Sequence, residues 1–131
     1  MCLSHWQLVE KDLGTVRGYK IFRKGEYDRP YTQGIFSWYA ESGPYPLDEW
    51  VWCIDHPARS YRIDVGCHAP RGFMAFQHKK DAINTLREYP RDSRKVAEMR
   101  KVLLRKVVAV GTENNDYEPI FIAEEMLILD Y

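Results

Sequence analysis

Two short stretches carry side chains able to do chemistry. CIDH separates Cys53 from His56 by two residues, and GCH sets Cys67 beside His68 at the head of GCHAPRGFMAF, residues 66–76. A thiolate and an imidazole at that separation can converge on zinc, and Cys67 with His68 would complete a Cys2His2 set. Adjacent residues of an extended strand point to opposite faces, however, so Cys67 and His68 need a sharp turn to reach one ion. The spacing also lacks the doubled C-x2-C form of a strong zinc site. A catalytic thiolate–imidazole pair needs a third group to orient the imidazole, and Asp55 and Asp64 are the nearby carboxylates. The plainer reading makes Cys53 a small core residue of EWVWCI and puts His56-Pro57 and His68-Ala69-Pro70 in turns. We take that reading, in which the chain needs no metal and no cofactor.

The elements around these residues follow from periodicity. Residues 1–13 place Trp6, Val9 and Leu13 on one helical face before Gly14, which predicts a short helical lead-in. RGYKIFR (17–23) alternates, with Tyr19 and Ile21 on one side, and GIFSWYA (34–40) and SYRIDV (60–65) read the same way. EWVWCI (49–54) is apolar on both faces, which predicts a covered central strand with Trp50 and Trp52 on one face and Val51 and Cys53 on the other. GFMAF (72–76) reads as a short buried strand. HKKDAINTLREY (78–89) is a helix with Ala82, Ile83 and Leu86 on one stripe and Pro90 beyond its end, and RDSRKVAEMR adds a further turn or two. KVLLRKVVAVG (101–111) is a long β-branched strand, and PIFIA with EMLIL gives one or two more. This order predicts one α+β domain over residues 1–131, with a mixed, mostly antiparallel sheet and one main helix.

A chain of 131 residues has the size of one domain. Its 19 basic and 19 acidic residues leave no net attraction to nucleic acid or acidic membranes. No apolar run approaches the roughly 18–20 residues of a membrane span, and the N-terminus lacks the pattern of a secretion signal. Three widely spaced cysteines fit a reducing cytoplasm better than a disulfide scaffold. The charge balance hides an asymmetry. Residues 79–106 are rich in Lys and Arg, whereas Glu113, Asp116, Glu118, Glu124, Glu125 and Asp130 follow Gly111 with no basic residue among them. Either the two halves neutralise each other, or each faces a partner of opposite charge. Nucleic acid is the poorer fit, because Tyr89 is the one aromatic inside the basic run.

A candidate partner-binding site lies in ESGPYPLDE. Pro44 and Pro46 fix their own φ and push Gly43 and Tyr45 towards extended geometry. Tyr45 then projects as a rigid interface anchor, with Glu41, Asp48 and Glu49 around it to favour a basic partner surface. The alternative is a ring folded back as a lid over Trp38 or Trp50.

The fragments RGYKIFR, HAP (68–70), GFMAF with Ala82 in the next helix, and KVLLRKVVAVGTE followed by a tyrosine resemble a family of small uncharacterised phage and bacterial proteins. Those proteins carry a G-(aromatic)-x-A-(aromatic) strand, a helix and a late V-x-L-x-G-x-V strand. The likeness covers about two thirds of the chain in ordered fragments. Family members often have cysteines just before the glycine strand, where Ala69 and Arg71 stand here. GFMAFQHKKDA and YEPIFIAEEMLILDY are, more distantly, similar to ADP-ribosyltransferase folds. That similarity implies Arg17 or Arg23 holding NAD and Glu118 or Glu124 stabilising a ribosyl cation. GFMAF lacks the hydroxyl residue of the middle motif, which implies the fold without the activity. The resulting expectation is a non-enzymatic binding protein, a phage or mobile-element accessory or inhibitor acting on a host protein complex through its surface. An NAD- or nucleotide-using enzyme is the alternative.

Overall fold

Regular elements follow the apolar alternation closely through the second half of the chain. The computed structural model describes residues 3–24, 30–32, 45–53, 72–113 and 118–130. Its strands are β1 (Leu3–Leu8), β2 (Val16–Lys24), β3 (Pro30–Thr32), β4 (Trp50–Trp52), β5 (Phe73–Phe76), β6 (Ala97–Glu113) and β7 (Glu118–Ile128). Two helices, α1 (Lys79–Glu88) and α2 (Arg91–Val96), lie between β5 and β6. The fold is α+β with α1 as its main helix, and every strand pairing among the described residues is antiparallel.

Strand β6 is the hub. Its β-branched residues suit a pleated surface packed on both sides, and its length lets it serve three neighbours. One edge pairs with β2 over 97–104 and with β1 over 109–113, while the other pairs with β7 over 102–113. Strand β5 lies between β2 and β7. The pairings β6–β2, β2–β5, β5–β7 and β7–β6 therefore form a closed cycle, and the sheet curls back on itself.

Curling gives the sheet an inside and an outside. Helix α1 contacts β2, β5 and β6 from outside, since a four-strand ring has no room for a helix. Ala82 of the helix packs there on Ile21, Met74, Phe76, Ile120 and Ile122. The interior holds Phe22, Phe73, Ala75, Val102, Leu104, Ala123, Met126 and Ile128. Strand β5 is thus buried on both faces, with Phe73 and Ala75 inside and Met74 and Phe76 under the helix.

Gly72 enters β5 where no side chain fits. A Cβ there would stand 2.7 Å from the Ala123 carbonyl oxygen and 2.8 Å from Ile122 Cγ2. The first neighbour is backbone of β7, which the ladder holds in place. Gly72→Ala is expected to cost about 1–3 kcal/mol, the range for overpacking a filled core. Chemical denaturation checks it, and an unchanged midpoint would show that β5 can move away from β7.

Two expectations need correction, at residues 3–8 and at β4. Residues 3–8 form a strand, because Leu3–Leu8 finds the edge of β6 opposite 109–113 and that distant ladder outweighs a weak local helical pattern. The further helical turn or two expected in RDSRKVAEMR is α2, which stops at Val96 because Ala97–Arg100 pair with Lys20–Arg23 of β2. Strand β4 is not central: among the described residues it ends the strand order, pairs with β7 alone, and leaves Trp52 44% exposed. PIFIA and EMLIL merge into the single strand β7. The expected strands at 34–40 and 60–65 lie outside the described residues.

Candidate functional site

Strand register builds a face that no single stretch of sequence displays. Directly opposed residues of antiparallel strands share a face. One row runs Trp50–Leu127–Leu103–Arg17 across β4, β7, β6 and β2, and the next runs Trp52–Glu125–Arg105. The residues between them, Val51, Met126 and Leu104, belong to the interior. Both rows therefore lie on the outer side of the sheet. Trp50, Leu127 and Leu103 are half-buried there, whereas Trp52 and Arg17 are exposed.

The charges on this face are organised around the two rings. The Arg105 guanidinium carbon lies 4.0 Å from the centroid of the Trp50 ring, and Lys106 Nζ lies 5.9 Å from that of Trp52. Cations over indole faces are attracted by the ring quadrupole, by about 0.5–1 kcal/mol at exposed sites. Glu125 forms an ion pair with Arg105 Nε and stands 3.8 Å from Lys106 Nζ. Its carboxylate is only 13% exposed and so bridges the two cations from below.

The backbone bends to bring this about. Lys106 has a φ of +56°, a left-handed conformation that a long side chain rarely adopts. Burial on β6 falls at 102 and 104 and then at 107 and 109, so the alternation slips at Lys106. Opposite it on β7, burial slips between Ala123 and Met126. Such a slip re-aims side chains on a strand, and here Arg105 and Lys106 both reach the tryptophans.

Sequence-predicted site residues fall elsewhere. Tyr45 is 1% exposed, packs in the interior, and meets Phe73 edge-on at 6.1 Å between ring centroids. This corrects the expectation of a projecting anchor: a large ring gains more from burial against Phe73 than from contact with water. Asp48 and Glu49 are exposed, as the partner-binding reading requires. Asp48 also has a φ of +54°, and its Oδ1 accepts a hydrogen bond from the Asp130 N–H at 3.2 Å. Glu41 lies outside the described residues.

Cys53 is a buried cysteine of the interior, in one cluster with Val51. His56, Cys67 and His68 lie outside the described residues, among which no three His, Cys, Asp or Glu side chains form a metal-holding group. Of the residues implied by the transferase likeness, Arg17 is exposed on β2 and Glu124 half-buried on β7. With β6 between them and three residues of offset, their Cα atoms are about 14 Å apart by strand geometry. Arg23 is opposite Ala97 and Glu118 opposite Glu113. A groove beside β1, lined by Gln7, Leu8, Val9, Leu13 and Val110, contains none of these residues.

No protein-family description, curated protein or solved structure matches the chain. The site is therefore read from its own geometry.

The basic and acidic halves of the sequence do meet. Arg105 and Lys106 pair with Glu125, and Arg100 Nη1 stands 4.0 Å from Asp130. The antiparallel β6–β7 hairpin brings the two segments together, which agrees with the neutralising reading of the asymmetry. The tryptophans were visible in EWVWCI and the cations in KVLLRK. Their contact was not, because it depends on β7 lying between them.

Proposed function

We propose that the chain is a non-enzymatic binding protein whose contact surface is the outer face carrying Trp50, Trp52, Leu103, Leu127, Arg17 and Arg105. The likeness to phage and bacterial proteins suggests the setting, that of a mobile-element accessory or inhibitor acting on a host protein complex. One observation carries the reading. Trp52 keeps 44% of its surface exposed on a strand that is fixed to β7 by pairing. Tryptophan and arginine around an apolar centre are the composition of interface hot spots. Asp48 and Glu49 are exposed just before β4. The NAD-using alternative needs an arginine and a glutamate that share a cleft, and the separation of Arg17 and Glu124 across β6 gives it less support.

Trp52→Ala tests the proposal. The substitution should change folding stability by less than about 1 kcal/mol, because the residue keeps 44% of its surface exposed at the end of the described strand order. It should weaken partner binding by about 2 kcal/mol or more, the scale of a hot-spot truncation. Partners captured from the native host by the wild-type chain would be identified by mass spectrometry and their affinities measured for both proteins. Equal affinity for the variant would remove the face from the interaction.

A further inference from the structure

The charge pattern on the face specifies what it fits. Among the described residues two cations, Arg105 and Lys106, share one carboxylate, that of Glu125, which leaves one positive charge over. Their side chains are 42% and 59% exposed, against 13% for Glu125, so solvent meets the cations first. Arg17, at the far end of the row from Trp50, is exposed and enters no ion pair among the described residues. Between Trp50 and Arg17 lie Leu127 and Leu103, both half-buried. The row crosses three strand spacings, about 14 Å, which matches roughly nine residues of helix.

From this arrangement we infer that the face takes an acidic protein segment with one apolar side. Its apolar side chains lie along Trp50, Leu127 and Leu103, and its carboxylates meet Arg17, Arg105 and Lys106. The inference rests on the reading of this face as the binding surface. Nucleic acid fits less well. Arg105 covers the Trp50 ring and Lys106 lies over that of Trp52, so both indoles of the described face already carry a cation where a base would stack, whereas an apolar side chain can pack against their edges.

Selection from a random-peptide display library against the intact chain tests it. Enriched peptides should carry an excess of Asp and Glu together with large apolar residues. Their binding should fall on the order of tenfold with Arg17→Glu, and more with Arg17→Glu combined with Lys106→Glu. It should also weaken as salt is raised. Melting temperatures establish that the variants fold; if Lys106→Glu does not, Arg17→Glu alone carries the test. Trp52-dependent peptides with no acidic excess would overturn the acidic partner and leave the face standing. Peptides that bind Trp52→Ala as well as wild type would overturn both. An oligothymidylate bound through Trp52 more tightly than any selected peptide would also overturn the inference.

Discussion

Tyr45→Ala is expected to cost about 3–5 kcal/mol of folding stability, the range for truncating a fully buried large aromatic. The ring belongs to the interior cluster with Phe22, Val51, Phe73 and Met126, so its removal opens a cavity where the curled sheet is lined by bulky side chains. Leu47 packs against the same cluster, which ties the residues leading into β4 to the core. For a chain of this size the loss corresponds to a fall of about 10–20 °C in melting temperature. Partner affinity per folded molecule should stay unchanged, because the ring does not reach the surface. A stability loss below about 1 kcal/mol, with binding weakened, would restore Tyr45 as an exposed anchor.

Lys20→Ala is expected to cost a similar 3–5 kcal/mol, by a different route. Lys20 is 4% exposed on the interior side of β2, alternating with Tyr19 and Ile21, which pack beneath α1. Its Nζ donates a hydrogen bond to the Met74 carbonyl oxygen at 2.6 Å. The bond crosses the β2–β5 seam, where the described ladder consists of the Tyr19–Phe76 pair. A side-chain donor thus supplements the main-chain ladder where the ring of strands is most weakly closed. Truncation to Ala removes that donor, leaves Met74 without this bond, and empties the space of a four-carbon stem. Lys20→Met keeps most of the stem and should lose only about 2–3 kcal/mol, the part due to a buried hydrogen bond from a charged group. Denaturant unfolding of both variants separates the two contributions. Equal losses would mean that packing of the stem, and not the ammonium, closes the seam.

Much of this fold is legible in the sequence, and the reasons differ by element. GFMAF, HKKDAINTLREY and KVLLRKVVAVG have patterns that favour the structures they form: a short apolar run opened by glycine, a single apolar stripe, and a long β-branched run. β1 was not legible. Trp6, Val9 and Leu13 suit a helix locally, and only the pairing with Thr112–Ala109 more than a hundred residues away makes a strand. EWVWCI misled for another reason. Apolar residues on both faces suggested two covered sides, but the outer side of β4 packs its tryptophans against Arg105 and Lys106. Hydropathy counts those cations as polar and cannot see their stacking on indole. The site was legible as parts only. Tyr45 had the turn chemistry of an exposed loop, yet hydrophobic burial outweighed it, while Asp48 and Glu49 are exposed beside it. The left-handed backbone of Lys106, which aims the cations, has no glycine or asparagine to announce it.

The binding face is tested most directly by an NMR titration of the isotope-labelled chain with a captured partner. Amide signals of residues 50–52, 103–106 and 125–127, together with the indole Nε1–H of Trp52, should shift first and furthest. Leu8 and Leu13, on the groove beside β1, should remain in place. Shifts concentrated at that groove, with the Trp52 indole unmoved, would contradict the assignment of the Trp50–Arg17 face as the surface through which the protein acts.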